Sequence, residues 1–394
     1  MSRFLRNASV TVEAMAAEAG RFTASRCQGR SILAIQDTTV VRSQGGGGLY
    51  LHPVLAVDAD DGTIVGLIHG CFLQREAGRR AERRGKPVAA KESQRWLDGA
   101  RQAGAVCGSA ARVTVIADRE SDIYAAFAER PVGVDLLIRA AQNRSLEDGE
   151  RLFGMIDRLP AMGQARLDVP AKPGRKARQA RIAVRFSQAS IARPRHDRSE
   201  GRPDSQTLTV VDVREIDPPE GDAIHWRLLT TLAVDDVAQA FDVVDLYRRR
   251  WAIEQLFRSL KTQGFDIENL LVEDEAAVQR LVMAALIAAV TIQQLVHARD
   301  GQQGPTPLRP LTDAFDGTDS ALLEAFCKKL EGKTQRQKNP HPKGSLAYAA
   351  WVCARLGGWT GYYGKPGPIV MRQGWMEFQA AKRGMELIAN PHIV

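Results

Sequence analysis

The chain has 394 residues, enough for two or three domains and a large core. With 44% hydrophobic and 25% charged residues it is composed like a soluble globular protein, which excludes a disordered tail or a fibre. Lys and Arg number 54 against 46 Asp and Glu, a formal net charge of +8, and this basic balance points to an anionic partner, nucleic acid first.

The apolar run 31–36 (SILAIQ) reads as a buried strand ending in Asp37-Thr38-Thr39. Residues 45–48 read as a glycine loop, and two β-rich runs around Asp60-Asp61-Gly62 read as a hairpin. A charged loop over 74–91 and a helix over 92–103 follow. Residues 112–117 (RVTVIA) form a second buried strand, ended by Asp118-Arg119-Glu120; then come a helix over 121–130 and a strand over 134–140. Acidic residues thus end two strands of a mixed α/β layout.

Alternating runs between 163 and 217 predict an inserted β subdomain. Its loop, 172–195, carries eight Lys or Arg (Lys172, Arg175, Lys176, Arg178, Arg181, Arg185, Arg193, Arg195) and no acid, which suits either a solvated face or phosphate binding. A strand over 224–232, an N-cap at Asp235-Asp236, one long helix to about 262 and another over 276–297 come next. The uncharged stretch 281–296 is short for a membrane span and carries Thr291, Gln293 and Gln294, so a buried core helix and no membrane partner are expected. Helices over 321–330, 345–356 and 374–388, with a basic turn over 333–343, complete the chain.

The five cysteines, Cys27, Cys71, Cys107, Cys327 and Cys353, form no C-x-x-C pair, which argues against disulfides or a zinc knuckle and for a reducing, cytoplasmic setting. No apolar signal segment opens the chain, and Glu13 and Glu18 do not fit a transit peptide. The seven histidines lack ligand spacing and none is assigned to metal.

Stepping from Tyr247 at 100° per residue puts Arg250 at about −60°, Glu254 at about −20°, Arg258 at about +20° and Lys261 at about −40°, one narrow stripe. Leu246, Ile253, Phe257 and Leu260 form the adjacent apolar stripe. Taken alone, the polar stripe fits a ladder of surface ion pairs.

The spacing Tyr247-(2)-Arg250-(3)-Glu254-(6)-Lys261 resembles the Y-R-E-K signature of the IS4-type DDE transposases. Gln36-Asp37-Thr38-Thr39 looks like that family's first-aspartate segment, and Asp118-Arg119-Glu120-Ser121-Asp122 resembles its D-R-E-A-D. LLT after Trp226, K-E-S-x-x-W at 91–96, RFLRN at 3–7 and ARLGGW at 354–359 extend the likeness, closest to Tn5-like members, over essentially the whole chain.

The resemblance implies a ribonuclease-H-like α/β core with an inserted β subdomain and a C-terminal helical region. Asp37, Asp118 and Glu254 match the catalytic triad that holds two Mg²⁺ ions, for which Mn²⁺ substitutes; carboxylates suit such hard cations. Tyr247, Arg250 and Lys261 match residues that grip phosphates of the transposon end, and Arg258 on the same stripe joins them. Trp226 matches a tryptophan that stacks a flipped base, although a strand tryptophan is also an ordinary core residue. Arg139 and Arg144 fall where relatives contact DNA, or in a solvated loop.

The implied organisation is a remnant of an N-terminal DNA-binding domain (1–30), two core parts (31–150 and 223–300) around the insertion (151–222), and a dimerisation region (301–394). Asp37 comes too early for a whole end-recognition domain. The leading expectation is cut-and-paste transposition through a hairpin, on double-stranded transposon ends and target DNA, by a homodimer. The alternatives are a truncated form that dimerises with and inhibits a full-length transposase, and a ribonuclease-H-like nuclease put to another use.

Overall fold

Strands that are apolar at nearly every position need cover on both faces, and the centre of this fold meets that requirement. The structure, a computed structural model, describes residues 2–44, 47–75, 92–171, 176–219, 221, 223–302 and 307–389. Its strands are β1 (Ser31–Gln36), β2 (Thr39–Gln44), β3 (Gly47–Asp58), β4 (Ile64–Arg75), β5 (Arg112–Ala117), β6 (Val134–Arg139), β7 (Gly163–Val169), β8 (Arg178–Ala192), β9 (Ser205–Glu215) and β10 (His225–Thr230). They join in one mixed sheet ordered β2-β3-β1-β5-β6-β10-β9-β8-β7, with β4 on the other side of β3. β1, β5 and β6 run parallel, while β3 and β10 flank them antiparallel, a ribonuclease-H-like arrangement within an α/β fold.

The helices are α1 (Ser2–Arg6), α2 (Val12–Cys27), α3 (Gln94–Val106), α4 (Tyr124–Ala128), α5 (Leu152–Asp157), α6 (Val237–Arg248), α7 (Trp251–Leu260), α8 (Glu275–Ala298), α9 (Ser320–Leu330), α10 (Leu346–Leu356) and α11 (Pro368–Ala389). Alternate residues of a strand point to opposite faces, and this sorts the core. Leu33, Ile35, Ile116, Leu137 and Leu228 pack with Val243, Ile253, Leu256 and Leu286 of α6 to α8. Ile32, Ala34, Val113, Val115, Leu136 and Ile138 pack on the other face with Ala103, Tyr124, Phe127 and Ile156 of α3 to α5. α8 is the core helix expected from its apolar run: it is long and apolar enough to cross a membrane, yet Val282, Met283, Leu286 and Ala289 are buried inside the protein.

Several expectations change. The segment 172–195 is mostly strand β8, not a loop, and Lys172 and Arg175 lie outside the described residues. The inserted strands extend the same sheet: β9 pairs with all of β10 and carries β8 and β7 outward. Paired this way, β10 has no free edge. β4 runs on to Arg75, residues 76–91 lie outside the described ones, and so do Gly45 and Gly46 of the expected glycine loop, whose Gly47 and Gly48 begin β3. The helix expected over 121–130 is a 3-10 turn, Arg119–Ser121, followed by the short α4. The last helix starts at Pro368 rather than Gly374, where α10 crosses so closely that a Cβ on Gly374 would overlap the Cys353 carbonyl.

Arg280 of α8 donates to the carbonyls of Leu5 (2.6 Å) and Val10 (2.7 Å), fastening the N-terminal segment to the core. A third cluster, Leu323, Trp351, Met371 and Phe378, joins the C-terminal helices to Ile292 and Leu295 of α8.

Candidate active site

The register of the parallel strands places the two aspartates. Ile35 pairs with Ile116, so two residues further on Asp37 and Asp118 leave their neighbouring strands at the same level. Parallel neighbours lie about 4.8 Å apart. Ala117 pairs with Ile138, which puts Arg139 level with Asp118, and Leu228 of β10 lies opposite Arg139. Ile35, Ile116, Leu137 and Leu228 face α6 to α8. By the two-residue repeat, Asp37, Asp118, Arg139 and Trp226 face the same helices.

The expected single helix over this face is two helices. Arg250 and Ile253 donate their amides three residues back, to Tyr247 and Arg250 (3.0 and 3.2 Å), a tighter 3-10 step that separates α6 from α7. Long-range contacts account for the step: Arg249 donates to the carbonyls of Asp58 and Asp60 (3.2 and 3.1 Å) on the β3–β4 turn, while Arg250 turns toward the sheet. The step tips Tyr247 inward, where its ring lies 5.7 Å from that of Trp226.

Arg250 is the hub. Its guanidinium donates to Asp37 Oδ2 at 2.8 Å and to Glu254 Oε1, with side chains only 17%, 19% and 31% exposed for Arg250, Asp37 and Glu254. Burial alone would lower the Arg250 value, but Tyr247, Asp37, Glu254 and Asp118 together raise it above the ordinary one. Asp37 is pushed up to about 6, first by burial and then by the negative charges of Asp118 and Glu254, against the pull of Arg250 and the Thr38 amide. Burial raises Tyr247, against Arg250 and Arg139, and burial lowers Arg139, which also feels Arg119 and Arg250.

Because Asp37 titrates higher folded than unfolded, folding favours its protonated form. That stability is complete below about pH 4 and is lost as pH rises through about 6, a difference of roughly 3 kcal/mol. In EDTA the thermal midpoint of the chain should therefore fall between about pH 4 and pH 7, and Asp37→Asn should flatten that slope. An equal slope in the variant would contradict this assignment.

Not every expected contact reaches the site. Arg144 is corrected: its guanidinium, 5% exposed, is locked on the fully buried Asp122 (2.6 Å), whose carboxylate also accepts the Ala141 and Gln142 amides. It holds the loop after β6 and faces no solvent. Lys261 leaves the stripe, because α7 ends at Leu260 and the lysine turns to Glu268 at 2.6 Å. Arg258 stays exposed on α7, 5.5 Å over the exposed Trp251 ring.

In the basic segment Arg178 and Arg185 face the buried Glu215 and Asp212 and are spent inside the protein, while Arg181 and Arg193 lie beside the exposed Asp217 and Asp204. Sequence reasoning passed over Arg119, exposed next to Asp118 and making no ion pair among the described residues. It also passed over Arg95, buried behind both aspartates. The D-R-E triplet at a strand end is the available signal for the first; the second is an unspecified position inside the K-E-S-x-x-W segment.

Among the described residues no three His, Cys, Asp or Glu side chains stand close enough to cage an ion as they are, and a guanidinium lies between two of the carboxylates. The donor set at the mouth is all carboxylate oxygen, without thiolate, which fits a hard divalent cation and not a soft one. The family described as Transposase DDE domain matches residues 28–291, more than half of the chain and all of the site.

Proposed function

The chain belongs to the Transposase DDE domain family, and on that premise we propose that it is a cut-and-paste DNA transposase working through a hairpin. DDE transposase domains act on DNA and use divalent metal ions. The observation that carries the proposal is the levelled pair Asp37 and Asp118 just past the ends of adjacent parallel strands, with Arg250 joining Asp37 to Glu254 on the helix above.

In this reading Asp37, Asp118 and Glu254 hold two Mg²⁺ ions, for which Mn²⁺ substitutes. When bound, the ions supply positive charge to the attacking and leaving oxygens of a phosphodiester. Each step exchanges one P–O bond for another: water frees a 3′-OH, that hydroxyl attacks the opposite strand to close a hairpin, water reopens it, and the 3′-OH joins target DNA. Arg250 has to release at least one carboxylate as the ions enter, and its freed donors then meet a backbone phosphate, as guanidinium groups do.

Arg139, Arg119 and the Tyr247 hydroxyl surround the same mouth and complete the phosphate grip. Lys261 and Arg258 contact the duplex further along, Lys261 by exchanging Glu268 for a phosphate. Trp226, half-buried beside Tyr247, stacks the base displaced by the hairpin. Residues 1–30 belong to the end-binding part, 151–222 are the insertion between core parts 31–150 and 223–300, and 301–394 the dimerisation region. The exposed Ile369 and Met376, seven residues apart and so on one face of α11, support the last of these, since a second copy would cover them. We place the reaction in the cytoplasm, in a synaptic homodimer.

The test is a duplex in which flanking DNA continues past the element's own inverted repeat, nicked at the 3′ end of the transfer strand and incubated with the chain and Mg²⁺. Hairpin ends should appear on a denaturing gel as product of doubled length. Strand joining without any hairpin would refute the hairpin route and keep the transposase.

A further inference from the structure

Each aspartate at the mouth has one oxygen held by a backbone amide of its own turn. The Thr38 amide donates to Asp37 Oδ1 at 2.7 Å, and the Glu120 amide donates to Asp118 Oδ1 at 2.9 Å. The side chains of those same two residues meet on one group. Arg95 of α3 donates from Nε to Thr38 Oγ1 (3.1 Å) and from Nη2 to Glu120 Oε2 (2.8 Å). Its third arm donates to the Glu92 carbonyl (2.6 Å), and its guanidinium lies 4.8 Å over the Trp96 ring.

The strut has a buried footing. Thr38 Oγ1 also bonds His52 Nδ1 (2.9 Å), His52 Nε2 bonds Gln36 Oε1 (3.2 Å), and Gln36 donates to the Trp96 carbonyl (3.2 Å). His52 is fully buried, and its ring meets Trp96 edge-on at 4.7 Å. The Arg95 side chain is 4% exposed while Glu120 is 57% exposed.

We propose that Arg95 is a positioning residue that fixes the two catalytic aspartates relative to one another, by bridging the residues whose amides orient their carboxylates. The proposal rests on the reading of Asp37 and Asp118 as metal ligands given above. An ion shared by two carboxylates needs their oxygens at a set separation, and β1 and β5 end before either aspartate, so no ladder bond fixes it. A planar fork with divergent donors spans the gap, and a lysine ammonium at the same place reaches one partner only. Groups that orient metal ligands typically carry a 10–100-fold share of metal affinity.

The test is equilibrium binding of Mn²⁺ alone to the full chain, followed by electron paramagnetic resonance, with thermal midpoints measured in parallel. Asp118→Asn marks the loss of a ligand. Glu120→Ala, at an exposed position, and Arg95→Lys should each weaken Mn²⁺ binding by about 10–100-fold, and the double variant should bind no worse than the weaker single one. A merely structural arginine would lower the midpoint of Arg95→Lys and leave Glu120→Ala with wild-type affinity, and that result overturns the proposal. Wild-type chain binding Mn²⁺ no better than Asp118→Asn would instead overturn the metal-site reading, and this proposal with it.

Discussion

Glu254→Gln should abolish metal-dependent cleavage and joining of transposon ends while DNA binding persists. The substitution keeps the shape of a side chain that is 31% exposed, so the fold has little reason to change. It removes the charge that, on the proposed reading, a divalent ion requires from α7. On that reading the three carboxylates act as a unit, and losing one member of such a set costs on the order of 10⁴-fold or more in rate. DNA affinity depends instead on cations around the mouth, which the change leaves in place or less tightly paired. Gel shifts and cleavage assays on the same preparation separate the two effects. Metal-dependent cleavage persisting in the variant would exclude Glu254 from the site.

Arg250→Ala should destabilise the metal-free chain and make it lean on divalent cations. Arg250 is the positive charge between Asp37 and Glu254. Without it Asp37, already at about 6, is pushed higher still, and Glu254 loses its counter-charge. Breaking a well-buried pair costs about 3–5 kcal/mol; partial exposure here argues for about 2 kcal/mol and a fall of several degrees in the thermal midpoint near pH 7.5. A bound cation supplies the missing charge, so Mg²⁺ should raise the midpoint of the variant more than that of wild type. Joining activity should nevertheless drop, because the phosphate contact is gone. Equal midpoints in EDTA and equal gains with Mg²⁺ would show that Arg250 is no counter-charge.

The parts that the sequence made legible are those set by local pattern. SILAIQ and RVTVIA are apolar on both faces because helices cover both faces, and each ends at the aspartate that chain order suggested. The spacing from Tyr247 to Glu254 identified the helix face, and those residues do come together with Asp37. What stayed illegible depends on partners distant in the chain. The break at Arg249 and Arg250 follows from carbonyls of the β3–β4 turn, almost two hundred residues away. Arg185 loses its claim to phosphate because register sets it opposite Asp212, a pairing that no spacing in the basic run announces. Arg139 and Arg144 look alike in sequence. Arg139 continues the β6 alternation toward the site, whereas Arg144 lies past the strand and is captured by Asp122.

The measurement that bears most directly on the central claim is strand transfer by the purified chain, using pre-cleaved ends from its own flanking repeats and Mg²⁺ or Mn²⁺, beside Glu254→Gln. Joined product from the wild type that vanishes in the variant is the predicted result. No product from either protein with intact DNA would contradict an active transposase and favour a chain that pairs with a full-length relative to block it.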